Sequence, residues 1–303
     1  MTPSEGDGQP VTRASAASRT PFYVKRSLAL DVSLLTLPTL PLATRLHLTL
    51  QKYRALAHLA RGRPATVQLG KGAVSVSDIF DLGTVFSSIV DVGSLAGHIR
   101  LASEHPVVID VGANIGQFCL ATKLFWPDAV VTSFEPDPEV AAVLAVNTRH
   151  LSDVTTVNVG LGAASGLMPW HPHNRSVLSS FRPRSELFPG GKRLDQPQLL
   201  PVQRLDEVVG AMSEIELLKV DVEGFEYEVL AGAAESLKRT RWLLLEVSLL
   251  HERGPSNLEL FELVRRSTPN ARIVTLGRVY GPPAAPECVD VLIDLQGTCA
   301  GGG

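Results

Sequence analysis

The chain has 303 residues, of which 45% are hydrophobic and 19% are charged, and its net charge is −3 at pH 7. This length suits one large α/β domain with an accessory segment, and a chain without a basic excess is a poor candidate for nucleic-acid binding. Its three cysteines lie far apart in the sequence. That distribution disfavours a disulfide framework or a structural zinc site and fits a cytoplasmic protein.

The N-terminal region differs in composition from the rest of the chain. Residues 1–20 are small, polar and proline-containing, which predicts a disordered tail without the apolar centre of a signal peptide. Residues 21–104 are expected to form an extension of helices and one hairpin. An apolar run over residues 27–50 is interrupted by two prolines and two charged residues. We therefore expect no transmembrane segment, since a spanning helix needs about 20 mostly uninterrupted apolar residues.

Within this extension, Leu46, Leu50, Tyr53 and Leu56 recur at helical spacing among basic residues. Such a helix packs either on its own domain or against a second copy, as in a homodimer. The alternative is a basic amphipathic surface helix for a membrane or a partner. The segment ATVQLGKGAVSVSD that follows predicts a β-hairpin, because two β-rich runs flank a pair of glycines. Residues 78–105 are expected to be helical.

The main domain is expected over residues 105–296, followed by a flexible tail over residues 297–303. Continuously apolar strands separated by helices indicate a mostly parallel sheet covered on both faces. The predicted strands cover residues 106–111, 129–136, 154–160, 214–224, 241–248, 271–277 and 288–295, and the predicted helices cover residues 115–125, 138–150, 225–238 and 257–267.

Residues 161–205 interrupt the alternation of strands and helices. This insert is rich in Pro, Ser, His and Arg and is expected near the carboxyl ends of the strands, where ligands bind in such folds. We interpret it as a substrate lid. Its His173, Arg175 and Ser179 are candidate substrate-binding residues, and His251 after the fifth strand is another. The alternative for the histidines is an ordinary role in a polar loop.

The segment VVIDVGANIGQFCL predicts a strand, a glycine-rich turn and a helix, a combination that lets a ligand approach the backbone. A dinucleotide fingerprint requires glycine at the first, third and sixth positions of this turn. Those positions hold Gly112, Asn114 and Gln117. Two of the three glycines are therefore missing, which disfavours a pyrophosphate site and a nucleotide-dependent dehydrogenase.

Glu135 stands at the end of the second predicted strand, 23 residues beyond Gly112. A carboxylate there can accept hydrogen bonds from a ribose diol. An S-adenosyl group, with its ribose and sulfonium cation, suits an acidic strand end such as Asp110 better than a pyrophosphate does. The alternative is that Asp110 caps the turn and Glu135 is a solvated strand end.

The segments VVIDVGANIG, TSFEPDP, VQRLDEV, LLKVDVEGFEYEVLAGA and LLLEVS occur in this order over residues 105–295. Together they resemble the FkbM-type family of S-adenosylmethionine-dependent methyltransferases. The resemblance implies a Rossmann-like sheet of seven strands with the last one antiparallel and helices on both faces. It also implies methyl transfer to a hydroxyl of a small molecule, sugar or natural product.

The resemblance also assigns residues to the cofactor. The turn is matched by Asp110, Gly112, Ala113, Asn114 and Gly116, and the ribose-binding pair by Glu135 and Pro136. One segment departs from the family pattern, because VGLGAASG stands where an acid often ends a run of small residues. Backbone groups around Leu161 and Gly162 would then have to replace the expected adenine contact.

A second polar constellation lies in KVDVEG, where Lys219, Asp221 and Glu223 alternate. Period-two geometry would put all three on one face of a central strand. We predict Asp221 and Glu223 as catalytic residues and Lys219 as part of a structural ion pair, with Asp221 or Glu246. A divalent ion held by these carboxylate oxygens is an alternative, but the sequence offers no third clear ligand, and no metal is expected.

The sequence thus predicts a cytoplasmic O-methyltransferase that uses S-adenosylmethionine and a small-molecule acceptor with a hydroxyl group. Two other functions stay open at this point. One is a nucleotide-dependent dehydrogenase, and the other is a cofactor-binding scaffold that has lost catalysis.

Overall fold

The computed structural model describes residues 20–172, 179–182, 197–210, 214–249, 255–280 and 287–297. The helices are α1 (Thr20–Thr36), α2 (Leu42–Leu59), α3 (Ile79–Ala96), α4 (Gln117–Phe125), α5 (Pro138–Thr148), α6 (Leu205–Val208), α7 (Glu226–Ala231), α8 (Ala234–Lys238) and α9 (Asn257–Ser267). The strands are β1 (Ala65–Leu69), β2 (Gly72–Val76), β3 (Val107–Val111), β4 (Val130–Phe134), β5 (Val154–Val157), β6 (Gly160–Leu161), β7 (Gly166–Trp170), β8 (Gln198–Gln203), β9 (Ile215–Val220), β10 (Thr240–Ser248), β11 (Arg272–Tyr280) and β12 (Cys288–Asp294). Apart from Thr20 and Gly297, the two predicted tails lie outside the described residues.

A seven-stranded sheet with the order β11-β12-β10-β9-β3-β4-β5 forms the centre of the domain. β3 pairs in parallel with both β4 and β9, whereas β12 runs antiparallel to both of its neighbours. Every residue of β9 is buried, as expected for a strand covered on both faces. The predicted mostly parallel methyltransferase sheet with an antiparallel last strand is confirmed.

The N-terminal extension shares a hydrophobic core with this sheet. Leu34 of α1 and Leu48 of α2 belong to the same cluster as Phe86 of α3, Leu120 of α4 and Val131 of β4. The hairpin of β1 and β2 is antiparallel, as predicted, and α2 packs against β1. The inner faces of α1 and α2 are therefore satisfied within the chain.

In the described part of the chain, α3 is the one helix long and apolar enough to cross a membrane, with a mean hydropathy of 1.4 over 18 residues. The same composition is typical of a core helix. Leu82, Phe86 and Ile89 of α3 are completely or almost completely buried against the rest of the domain, and helix packing accounts for this apolar composition.

Two elements differ from the prediction for reasons of packing. The helix expected over residues 225–238 is split into α7 and α8, because the chain at Gly232 approaches the Gly162 carbonyl so closely that a Cβ atom would lie 2.0 Å from its oxygen. The third strand ends at Val157 instead of residue 160, and Gly160 and Leu161 pair instead with β8.

The insert contributes a small sheet of its own, in the order β6-β8-β7. β7 and β8 are antiparallel, and an isolated bridge joins His171 to Ser180. Residues 173–178 and 183–196 of the insert lie outside the described residues. The described part of the insert thus forms an ordered layer next to the central sheet.

Candidate functional site

A pocket lies at the carboxyl ends of β3, β4 and β9 and is bounded on one side by the insert. It contains about 610 Å³ of space not filled by protein atoms, a figure that includes open solvent. Its lining residues are Val111, Gly112, Asn114, Gln117, Phe134, Glu135, Pro136, Val159, Gly160, Leu161, Trp170, Ser179, Phe181, Asp221, Val222, Glu223 and Phe225. The edge of a parallel sheet is where ligands bind in folds of this class.

The glycine-rich turn adopts left-handed conformations at Gly112, Asn114 and Gly116, with φ values of 78°, 48° and 94°. A Cβ atom on Gly112 would lie 1.9 Å from the Asp221 carbonyl oxygen. Glycine is therefore required here by the close approach of two chain segments as well as by the positive φ. This contact brings the turn and the loop after β9 together in the pocket wall.

Hydrogen bonds within the protein occupy the backbone N–H groups of residues 112–116. Those of Gly112 and Ala113 donate to the Phe134 carbonyl, and that of Asn114 donates to Glu135 Oε2. The turn therefore offers a ligand its side chains and glycine surface more than free amides. Gln117, the first residue of α4, has a buried Oε1 without a hydrogen-bond partner and lines the pocket.

Glu135 is fixed by the backbone on both sides of its carboxylate. Oε2 accepts from the Asn114 N–H at 2.9 Å and Oε1 accepts from the Asp137 N–H at 3.0 Å. The residue is 5% exposed, and burial raises the pKa of Glu135 to about 7, although these two amides act in the opposite direction. Each oxygen keeps a second lone pair that can accept a hydroxyl of a ligand.

Asp110 is completely buried and lies behind the pocket instead of in its wall. Lys219 Nζ is 3.4 Å from Asp110 Oδ1, an ion-pair distance without hydrogen-bond geometry, and Ser133 Oγ donates to Oδ2 at 3.3 Å. Burial raises the pKa of Asp110, against the effect of Lys219. The Asp110 carboxyl group therefore faces Lys219 and Ser133, and its role in cofactor binding stays a prediction.

Lys219 joins the two halves of the site. Its Nζ lies 3.3 Å from Asp221 Oδ2 and donates to the Gly112 carbonyl oxygen at 3.0 Å. Burial alone would lower the pKa of Lys219, but Asp221 and Asp110 raise it overall. The lysine therefore stays charged and holds the glycine turn against the loop after β9. The sequence predicted an ion pair with Asp221 or Glu246, and the pairs observed are with Asp221 and Asp110.

Asp221 and Glu223 both line the pocket, but not as neighbours on one face of a strand. This part of the prediction is wrong, because β9 ends at Val220 and Glu223 has a left-handed φ of 58°. The loop is held by Glu226, whose Oε1 accepts from the N–H groups of Val222 and Gly224 at 3.2 and 2.9 Å. This support could not be predicted, because Glu226 has the pattern of an ordinary helical residue.

Glu246 of β10 brings a third carboxylate to this loop. Ligand oxygens of Asp221, Glu223 and Glu246 lie within 4.8 Å of one another. Burial raises the pKa of Glu246 well above its ordinary value, and the charges of Asp221 and Glu223 add to the effect. Sequence reasoning found no third ligand beside Asp221 and Glu223, and Glu246 is the group that it missed. The expectation of no metal therefore loses its reason and stays an untested prediction.

An aromatic wall closes the pocket on the side of the insert. The Trp170 and Phe181 rings meet edge to face with centroids 4.8 Å apart, and Phe181 is 5.4 Å from Phe225. Sequence reasoning missed all three residues. The one signal was the presence of large aromatic side chains in an otherwise polar insert.

The remaining predicted residues divide into three groups. Ser179, Pro136 and Leu161 lie in the pocket wall. Ala113 and Gly116 belong to the glycine-rich turn but do not line the pocket. Gly162 also lies outside the wall, and its N–H donates to the Gln203 carbonyl. The predicted substrate-binding residues that lie outside the described part of the chain are His173, Arg175 and His251.

Comparison with known proteins identifies the domain. The family model of the FkbM methyltransferase domain matches residues 110–269. The 2-O-methyltransferase NoeI of Sinorhizobium fredii is 30% identical over 159 residues, which are 49% of this chain and 65% of NoeI. The 31-O-demethyl-FK506 methyltransferase FkbM of Streptomyces tacrolimicus is 33% identical over 169 residues, 46% of this chain and 65% of the relative. The chain thus spans just under two thirds of the length of these relatives.

Among solved structures, Aeropyrum pernix fibrillarin in complex with natively bound S-adenosyl-L-methionine superposes with a TM-score of 0.40 at 12% identity, over 66% of this chain and 71% of that chain. The match to the family model covers more than half of the 303 residues and includes the turn, Glu135 and the loop after β9. The chain belongs to the FkbM methyltransferase family.

Proposed function

We propose that the protein is an S-adenosylmethionine-dependent O-methyltransferase acting on a hydroxyl of a small molecule, sugar or natural product. The observation that carries the proposal is the buried, amide-fixed carboxylate of Glu135 beside the glycine-rich turn. A ribose diol needs such a pre-oriented acceptor, and the family supplies the reaction type. The missing glycines at Asn114 and Gln117 weigh against the dehydrogenase alternative.

The residues that would hold the cofactor are those of the turn and of the β4 end. Glu135 accepts the ribose hydroxyls, and Gly112 lines the pocket beside it. Lys219 keeps that turn in place through the Gly112 carbonyl. Gln117 offers an unpaired amide oxygen to a donor on the ligand.

When bound, S-adenosylmethionine supplies an electrophilic methyl group, which an acceptor oxygen takes as the carbon–sulfur bond breaks. The protein aligns the acceptor with this group and excludes water from it. As the new carbon–oxygen bond forms, the hydroxyl proton must leave, and Asp221 or Glu223 accepts it. Both carboxylates lie in the pocket wall beside the turn, which supports this role.

The acceptor class rests on the relatives and on the aromatic wall. The name of NoeI, a 2-O-methyltransferase, and that of FkbM, a 31-O-demethyl-FK506 methyltransferase, both refer to an oxygen that receives the methyl group. Trp170, Phe181 and Phe225 offer apolar ring surfaces against which the non-polar face of a sugar or a ring system can pack. A cytoplasmic location is part of the same proposal, and the free thiols of Cys119 and Cys288 fit it.

Calorimetric titration with S-adenosylhomocysteine and, separately, with NAD tests the proposal. We expect saturable binding of S-adenosylhomocysteine and none of NAD. Tight binding of NAD would contradict the reading of the turn. Binding of S-adenosylhomocysteine without methyl transfer to any acceptor pool would favour the scaffold alternative.

A further inference from the structure

The first two helices present apolar side chains to solvent as well as to the core. Six large residues on them are 47% to 62% exposed. They are Leu28 and Val32 on α1 and Leu42, Leu46, Leu50 and Tyr53 on α2. Spacings of four, four and three residues place the α2 members on one side of the helix. We call these six residues the outer face.

The outer face is not needed to hold the helices on the domain. α2 buries Leu48, Lys52 and Ala55 on its opposite side, and Leu34 of α1 is 1% exposed in the same core. Each helix therefore has two apolar sides, one buried in the core of the domain and the other exposed to solvent. Contiguous exposed apolar residues on a folded domain mark a surface that meets something else.

The two helices are locked to each other next to this face. Lys52 Nζ lies 2.6 Å from Asp31 Oδ1 in a buried ion pair, and the Tyr53 hydroxyl donates to Asp31 Oδ2 at 2.6 Å. These bonds connect the α1 and α2 parts of the outer face. They also neutralise Asp31, the single acid in the segment.

The charge of this segment is opposite to that of the whole chain. Residues 20–63 hold seven of the 28 lysines and arginines but one of the 31 acids, whereas the chain as a whole carries −3. Arg54 directly follows Tyr53, the last member of the stripe, and Arg61 and Arg63 lie just beyond the end of α2 at Leu59; all three are exposed. An apolar stripe bordered by arginines therefore covers this end of the molecule.

We propose that the outer face docks the enzyme onto an anionic lipid surface, with α1 and α2 lying in the plane of the headgroups. Exposed leucines beside exposed basic residues are what an interfacial helix needs, since the leucines enter the acyl boundary and the cations meet anionic headgroups. A symmetric dimer through the same face would set like charges against each other. The inference is independent of the proposed methyl transfer.

Vesicle flotation with the full chain tests this proposal. Vesicles of phosphatidylcholine alone and of phosphatidylcholine with phosphatidylglycerol would be compared at low and high salt. We expect binding to the anionic vesicles that falls with salt. The double variant Leu46→Glu/Leu50→Glu should lose about tenfold or more in bound fraction, and so should Arg54→Glu/Arg61→Glu.

The matched control is Leu258→Glu, which alters a leucine that is 79% exposed on α9, among acidic neighbours. It should bind vesicles like the unaltered protein, and all variants should keep its circular dichroism and melting temperature. Absence of flotation with anionic vesicles, or equal flotation with neutral vesicles, would overturn the proposal. So would a protein that binds no vesicles but sediments as a dimer, if Leu46→Glu/Leu50→Glu converts that dimer into a monomer.

Discussion

Replacing Glu135 by glutamine tests the ribose contact with little change in shape. The carboxylate accepts the N–H groups of Asn114 and Asp137 at 2.9 and 3.0 Å. A glutamine NH₂ group would face one of these donors and could not accept from it. The variant also loses the charge that strengthens a bond from a ribose hydroxyl. Hydrogen bonds to charged groups contribute about 1.5–3 kcal/mol, so affinity for S-adenosylhomocysteine should fall roughly ten- to 150-fold.

The pH dependence of binding gives a sharper signature of the same contact. Burial raises the pKa of Glu135 to about 7 in the free protein, and ribose hydroxyls donate to the charged form. The cofactor-bound protein therefore has the lower pKa, and binding weakens as pH falls through 7. Affinity of the unaltered protein should be flat above pH 8 and about tenfold weaker at pH 6.

Calorimetry with S-adenosylhomocysteine at pH 6, 7 and 8 measures both effects. The matched control is Glu139→Gln, which alters an exposed carboxylate in the first turn of α5. That variant should keep the affinity and the pH dependence of the unaltered protein. The reasoning is refuted by an unchanged dissociation constant in Glu135→Gln, or by a pH dependence that survives in this variant.

Three further predictions concern the rest of the site. Asp221→Asn and Glu223→Gln should each keep S-adenosylhomocysteine affinity within about threefold, and at least one should lose about 10²–10⁴-fold in single-turnover rate; equal losses of rate and melting temperature would instead indicate a structural pair. Lys219→Met leaves a buried carboxylate without its cation and should lower the free energy of unfolding by about 3–5 kcal/mol in urea melts, whereas a stable variant would remove its role as the connection between the two halves of the site. Gly112→Ala should abolish cofactor binding, because the added Cβ atom would lie 1.9 Å from the Asp221 carbonyl oxygen. Gly166→Ala is the matched control, since no atom lies within 4 Å of its added Cβ, and it should keep the melting temperature and the cofactor affinity of the unaltered protein. Normal cofactor binding by Gly112→Ala would contradict the required close approach.

The sheet could be predicted because its signal is local. Uninterrupted apolar runs such as that of β9 are typical of strands covered on both faces, and alternation with helices fixes their parallel direction. The position of Glu135 at the end of β4 followed from the same pattern. What the sequence indicated about the site was therefore the set of residues that end neighbouring strands.

The details of the site depend on contacts between segments that are distant in the sequence. Lys219 pairs with Asp110, 109 positions away, because β3 and β9 are adjacent with these two residues in register. Glu246 joins the acidic cluster because β10 lies on the other side of β9. Neither partner follows from spacing along the chain. The left-handed conformation of Glu223 likewise reflects the support of its loop by Glu226.

The outer face illustrates a third case, in which the pattern was visible but its meaning depended on packing. The spacing of Leu46, Leu50 and Tyr53 predicted an amphipathic helix, and an apolar stripe is most often a core stripe. The structure puts a different set of residues, including Leu48, into the core and leaves these three exposed. A helix that is apolar on two sides cannot be oriented from periodicity alone.

The most direct test of the central claim is methyl transfer itself. The purified chain would be incubated with methyl-labelled S-adenosylmethionine and a fractionated extract of its source cell, and the products identified by mass spectrometry. We expect a labelled methyl ether on a hydroxyl-bearing small molecule, formed by the unaltered protein and by Glu139→Gln but strongly reduced with Glu135→Gln. Label on nitrogen or carbon, or no transfer by a protein that binds S-adenosylhomocysteine tightly, would contradict it.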